Sequence, residues 1–287
     1  MRDSHNARNR HQRGMVLIAV LWMVVALSII VTGITRSVRD EARIMSLTRQ
    51  GVEAYALGDA AIQLVLQDMV SRTAPISRLT QVEPVYRGVP MVVQIMPING
   101  LIDINGASVS LLNSLYVVGG GLPADAAAAL AQATVDARER KDSRGVPVPF
   151  EATEDLLQVP GLGYALYARL SGLITSDLRR GGGKVNPLAA PPEVLTVLAG
   201  GNAGVAARIA ADREAGLEGI DTTALGADFT DIVAVHRFHI KARVPLSDGA
   251  WLWISRSVDL GARGRDGMPW HTFRTSYGFE HLHRKNS

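Results

Sequence analysis

RGMVLIAVLWMVVALSIIVTGIT runs from Arg13 to Thr35, and its reading governs how the rest of the chain is understood. Met15 to Thr35 is 21 residues without a charge. At about 1.5 Å per residue that makes roughly 30 Å of helix, the thickness of a bilayer's hydrocarbon core. A cleaved secretion signal has an apolar run of only about 7 to 15 residues closed by small side chains. Ala26 and Ser28 are small but lie inside the run, so the stretch reads as a retained span. The tail before it carries Arg2, Arg8, Arg10 and Arg13 against Asp3. The positive-inside tendency keeps that tail in the cytoplasm and sends the remainder across the membrane.

Arg39, Asp40, Glu41 and Arg43 mark the exit from the bilayer, yet the helical pattern continues. Val52, Tyr55, Ile62, Leu66 and Met69 recur at spacings of three, four or seven, which predicts one apolar stripe on a rod from about Met15 to Met69. Pro75 stops it. The chain as a whole has 287 residues, 47% apolar side chains and a formal charge of +3. That is enough to bury one sizeable core or two small ones, and the charge is too evenly mixed to name a partner. With no cysteine, disulfides, thiolate metal sites and a cysteine nucleophile are excluded.

A basic leader, a glycine and a hydrophobic helix running into an amphipathic one together resemble a type IV prepilin or pseudopilin. The resemblance implies that a membrane peptidase cuts between Gly14 and Met15 and that the helix beginning at Met15 is kept for assembly. A plain anchor preceded by a chance Arg-Gly pair is the other reading of this segment.

Beyond the rod, VYRGVPMVVQIMPI from Val85 to Ile98 reads as a strand or a bent pair, with Pro90 and Pro97 restricting it to an edge or to strand ends. A region rich in Ala, Leu and Gly follows from Asp103 to Leu225 and reads as helical. Three strand-like runs close the chain, starting near His236, Ala250 and Pro269, with Asp248-Gly249 and Asp266-Gly267 as hairpin turns between them. Alternation in WLWISRSV places Trp251 and Trp253 on one face with polar residues opposite. A lone strand near Val92 is not stable, so the expected architecture is α+β: a small antiparallel sheet on the exposed half of the long helix, with an all-α insertion between its strands.

Inside the helical region, the sequence from Ile104 resembles the sequence from Val185. Each has an apolar residue and Asn, a small-residue turn, a short helix, a Gly pair, and an Ala-rich helix ending in Arg and Glu. This reads as two related helix-turn-helix units. Between them, within Glu151 to Ile174, EDLLQVPGLGYALYARLSGLI resembles a helix-hairpin-helix motif at Val159, Gly161, Leu162, Gly163 and Ala168. Such a hairpin can offer backbone N–H groups to a phosphate, and Arg169, Arg179, Arg180 and Lys184 are nearby. Tyr164, Ala165 and Leu166 fill the first turn of its second helix, where a DNA binder shows Lys or Arg, so packing is the expected use and nucleic-acid contact is not.

RGMVLIAVLW, INGLIDINGAS, FEATEDLLQVPGLGYALYARL and VNPLAAPPEVLTVLAG together resemble the minor pseudopilins of type II secretion systems called general secretion pathway protein K. The likeness covers most of the chain, although Pro187 and Leu188 replace the Asn-Thr turn common in that family. It implies a prepilin leader over 1–14, a transmembrane helix over 15–35, and a pilin-like body over 36–102 and 226–287. It also implies an all-helical insertion of helix-hairpin-helix or SAM-like kind over 103–225. The implied function is that of a non-enzymatic subunit at the pseudopilus tip, processed by prepilin cleavage and methylation, anchored in the inner membrane with its body in the periplasm. The implied partners are other minor pseudopilins, the prepilin peptidase and secreted substrates. The alternative is a DNA-contacting minor pilin of an uptake or adhesion pilus, and a third class is a membrane-anchored periplasmic enzyme. Ala19, fifth from Met15, stands where most pilin-like subunits carry Glu.

Enzyme signatures are poor. RGGGKV at Arg180–Val185 lacks the first glycine of a phosphate loop, with Leu178 in its place, and has Val185 where magnesium needs a hydroxyl. His236 and His239 fall on opposite faces of a strand, and His281 and His283 lie in a polar C-terminus. No cofactor is expected. Asp103, Asp259, Asp266 and Glu280 are the carboxylates that could hold calcium, which some members of the family bind in this body, but no acidic loop pattern marks a site.

Overall fold

The computed structural model describes the backbone of residues 6–178, 183–247 and 249–280, and the side chains of these except 6–17 and 29–44. The chain divides into two units, 1–54 and 55–287. The helix α1 (Asn6–Ser71) extends through 66 residues. In the first unit, every side chain from Ile18 to Ser28 is exposed. Among the described residues no helix is long and apolar enough to cross a membrane. The expected span Met15–Thr35 lies partly outside the residues whose side chains are described.

Among its described residues the second unit contains nine strands. β1 (Thr80–Val82) and β4 (Val92–Pro97) are joined by a projecting hairpin, β2 (Val85–Tyr86) and β3 (Val89–Pro90). β7 (Arg237–Pro245), β8 (Trp251–Asp259) and β9 (His271–Glu280) follow much later. The main sheet is antiparallel in the order β1-β4-β7-β8-β9. Pro97 stands opposite Phe238, so the chain leaves the sheet at the end of β4 and returns to the same place at β7. Each proline suits its position: Pro90 lies in the short hairpin and Pro97 is the last residue of its strand.

Alternation along β7 buries Phe238, Ile240, Ala242 and Val244 on one face, where Val93 and Ile95 of β4 and Leu252, Ile254 and Val258 of β8 join them. The last turns of α1 cover this face with Ala61, Ile62, Val65, Leu66 and Met69, all buried. Each Leu or Ile so buried is worth about 1.5–3 kcal/mol. The contact is close because Gly58 faces the sheet: a Cβ there would lie 2.8 Å from Ile254 Cδ1. Arg256 pairs with Asp59 of α1, and Tyr55 meets Tyr277 edge to face at 5.5 Å.

Two expectations need correction. Val52 is 66% exposed and does not join the packed stripe, of which Ile62, Leu66 and Met69 are buried. The tryptophans also do not have a polar face opposite them; Leu252, Ile254 and Val258 are opposite and buried, while Ser255, Ser257 and Asp259 share the tryptophan side.

Between β4 and β7 lies a second hydrophobic core. A short parallel pair, β5 (Ile102–Asp103) with β6 (Ile174–Thr175), ties its entrance. α2 (Val109–Ser114) begins at Ser108, whose Oγ accepts from Leu111 N, and continues as a wider turn over Leu115–Gly119 into α3 (Ala124–Arg138). α4 (Tyr164–Leu170), α5 (Pro192–Leu198) and α6 (Ala203–Glu214) complete the region, with Asn202 capping α6 through Gly204 N and Val205 N. Leu111, Leu112, Leu115, Tyr116, Leu130, Leu156, Leu170, Leu195 and Ile209 are among its buried side chains.

The sequence repeat has a structural counterpart. Arg138, at the end of α3, donates to the carbonyls of Ile104 and Ala107 at 2.9 and 2.8 Å. Arg213, near the end of α6, donates to those of Ala190 and Leu188 at 2.6 and 3.5 Å. In each unit the arginine closing the second helix satisfies carbonyls of the turn that opens the first.

Candidate functional site

The hairpin read as helix-hairpin-helix forms from a 3₁₀ turn over Thr153–Gln158 and α4. Asp155 fixes its entry by accepting from the N–H groups of Glu151 and Ala152 at 2.8 and 3.0 Å. Val159 and Leu162 are buried, and the backbone reverses at Gly161, whose φ is +92°. Gly163 is extended, with φ −89° and ψ 165°, so it does not use the conformational freedom that glycine has. Ala168 is exposed, and Tyr164, at 75% exposure, stands at the start of α4. Of the basic residues near it, Lys184 reaches the carbonyl of Ala227 at 3.5 Å, while Arg179 and Arg180 lie outside the described residues.

A seam joins the helical region to the strands. Asn186 N donates to Asn99 O at 2.7 Å, Asn186 Nδ2 to Ser77 O at 2.7 Å, and Asn99 Nδ2 to Val233 O at 2.9 Å. Asn186 Oδ1 accepts from Leu188 N at 3.0 Å, so a turn forms with Pro187 and Leu188 in place. Gly100 lies against the main chain here, and a Cβ would overlap the Ala189 carbonyl.

The sheet face turned away from α1 carries a row of charged and polar groups. Arg237, His239, Lys241 and Arg243 occupy alternate, half-buried positions of β7. Arg237 bonds Asp259 at 2.9 Å and lies 5.0 Å from the Phe273 ring; Arg243 meets Glu280 at 3.3 Å and lies 5.4 Å from Trp251. Lys241 sits 5.0 Å from the Trp253 ring. That indole spreads over Gly278, where a Cβ would come within 2.8 Å of it. The stripe was readable in RFHIKAR, since an alternating strand puts every second residue on one face.

His239 Nε2 and Ser255 Oγ are 2.9 Å apart, and Ser257 Oγ is 3.3 Å from Nδ1. Geometry alone would admit a nucleophile and base. The chemistry argues otherwise: burial, then Lys241 and Arg274, push the imidazole down to about 4, making it a weak base. Serine on the second ring nitrogen supplies no carboxylate to stabilise an imidazolium.

The four carboxylates considered for calcium are dispersed. Asp103 is buried on β5 and accepts from Asn105 N at 3.0 Å. Asp259 and Glu280 hold arginines, and Asp266 accepts from Met268 N in the β8–β9 connection. Among the described residues no group of three or more His, Asp or Glu could hold a metal ion. In the first unit, Ala19 is exposed, and the side chains of Gly14 and Met15 lie outside the described residues.

No family model matches the sequence, and no curated protein matches it. Among solved structures, the chain is similar to a chain of the GspK-GspI-GspJ complex from the type 2 secretion system of enterotoxigenic Escherichia coli. The identity is 13% and the TM-score 0.49, over 83% of this chain and 99% of that one.

Proposed function

We propose that the chain is a minor pseudopilin of a type II secretion system, of the general secretion pathway protein K kind, acting as a structural subunit at the pseudopilus tip. The observation that carries the reading is α1. Its side chains from Ile18 to Ser28 are exposed and, apart from Ser28, apolar, while its last turns are built into the core against the sheet. A helix that is apolar all round requires lipid or neighbouring helices, and one that ends inside a folded body ties that body to them.

On this reading residues 1–14 are a leader removed after Gly14, 15–35 span the inner membrane, and 36–102 with 226–287 form a pilin-like body in the periplasm. The helices over 103–225 are an insertion that makes contacts with protein, and Val159, Gly161, Leu162, Gly163 and Ala168 are a packing hairpin within it. The partners are other minor pseudopilins. The departure from β4 and return at β7 supports the insertion, because the two strands are direct neighbours in the sheet although the helices lie between them in sequence.

The intact mass of the chain recovered from cells carrying and lacking the prepilin peptidase tests the assignment. A mature chain beginning at methylated Met15, seen only with the peptidase, is expected. A chain still beginning at Met1, or cut after Ser28, overturns it. Tight and steeply salt-dependent DNA binding would favour the uptake-pilus alternative instead.

A further inference from the structure

Among the described residues, the basic stripe on β7 is paired with carboxylates at its ends and not at Lys241. Asp259 faces Arg237 and Glu280 faces Arg243. Lys241 stands opposite Gln94 of β4 and Ser255 of β8, neither of them charged. Its row continues from Gln94 to Gln81 of β1. There a groove of about 610 Å³ opens, with Arg78 on its wall. Arg213 in the same wall is buried and committed to carbonyl groups, and Glu214 is the carboxylate among the lining residues. Burial first, and then the charges of Lys241 and Arg274, push the His239 imidazole down, so it adds no charge to this face near neutral pH. Solvent-facing sheets gain from opposite charges across strands. This one instead leaves Lys241 without a carboxylate across from it, while Arg78, on the groove wall before β1, donates to the Leu217 carbonyl at 3.4 Å and Gln81 reaches Glu83 at 3.5 Å.

We propose that this row is a docking surface for an acidic, extended segment of a partner protein, whose carboxylates Lys241 and Arg78 receive. The polypeptide backbone of such a segment can run beside β1, the terminal strand of the sheet, past Leu79, whose N–H is already bonded to the Leu188 carbonyl. A nucleic acid fits less well. Lys241 and Arg243 already cover the rings of Trp253 and Trp251, so those faces are not free to stack on bases. The inference goes beyond the filament reading and does not depend on it.

The full-length chain in zwitterionic detergent, titrated against a fluorescent peptide of alternating Glu and Thr and followed by anisotropy, is the test. Binding should weaken several-fold between about 0.05 and about 0.3 M salt. Lys241→Glu with Arg78→Glu should weaken it by about tenfold or more, and the neutral pair Lys241→Gln with Arg78→Gln by a smaller factor. The charge-matched pair Arg140→Glu with Lys141→Glu, in an exposed loop, should leave it unchanged. A peptide with Lys in place of Glu should not bind. Circular dichroism confirms that each variant is folded, and the glutamine pair decides the matter if the glutamate pair is not. Absence of binding, equal loss in both charge-reversal pairs, or tighter binding of an oligothymidylate than of the acidic peptide would overturn the proposal.

Discussion

Asp103 and His239 act on stability in opposite directions over one pH range. Burial pushes the Asp103 carboxyl up to about 6, so the folded chain holds its proton more tightly than the unfolded chain does. Its contribution is therefore complete below the unfolded pKa and is lost as pH rises toward 6, a change of about 3 kcal/mol. His239 is pushed down to about 4 by burial and two cations, so its contribution is complete above the unfolded pKa and is lost as pH falls toward 4. Between pH 4 and 6 the two offset each other. Asp103→Asn should give melting temperatures that rise from pH 4 to 6.5, and His239→Gln melting temperatures that fall from pH 4 to 6; identical slopes in both variants would refute the assignment. Gly161 gives a second residue-scale expectation. At φ +92° with only Leu130 Cδ1 near, at 3.8 Å, its substitution by Val costs conformational strain rather than space, about 1–3 kcal/mol. Gly163→Ala, at a negative φ with open space around it, should be neutral in the same melting experiment.

Two glycines report how the elements are held together. A Cβ on Gly58 would meet the free ends of Ile254 and Val244, which can shift, and alanine also favours the helix by about 1 kcal/mol. A Cβ on Gly100 would meet the main chain at Ala189, which Asn186 and Asn99 hold in place. Gly58→Ala should therefore change the melting temperature little, whereas Gly100→Ala should cost about 2–4 kcal/mol and separate the melting of the helical region from that of the sheet. The elements themselves were largely legible. The long helix follows from sustained periodicity and its end from Pro75. The closing strands follow from alternation, with Asp266-Gly267 turning between two of them. The paired helices at Ile104 and Val185 follow from the repeat. The assignment of faces holds in part. On α1 the expected stripe is buried at Ile62, Leu66 and Met69 and exposed at Val52, while Gly58 and Ala61 join it against the sheet. On β8 the expectation of polar residues opposite the tryptophans fails because Leu252, Ile254 and Val258 there form the core, while lysine and arginine lie over the indole rings. The seam was not legible, because Asn99, Asn186, Ser77 and Val233 are far apart in sequence and nothing local marks their meeting.

At the scale of the whole molecule, one missing charge and one large excursion of the chain bear on the filament position proposed above. Ala19 occupies the fifth position after Gly14, where, if this segment lies in a membrane as proposed, a carboxylate would be costly unless it met an opposite charge on a neighbour. A subunit at the end of a filament has no earlier neighbour to engage, so it loses nothing by carrying alanine. The helical region between β4 and β7 points the same way, because a second core added to every subunit would crowd a tightly wound array. Gly14→Asp should block maturation while leaving the chain in the membrane, read as retention of the leader by mass. For position in the filament, the chain is well suited to cross-linking because it contains no cysteine of its own. Single cysteines placed along α1 should join it to a few minor subunits at one end of isolated filaments, and gold-labelled chain should appear at that end by electron microscopy. Label distributed along the filament length would rule out the tip. Replacing Ala19 with Glu separates the two arguments: if the missing charge sets the position, the variant should be found within the shaft, and if the bulk of the helical region sets it, the variant should remain at the tip.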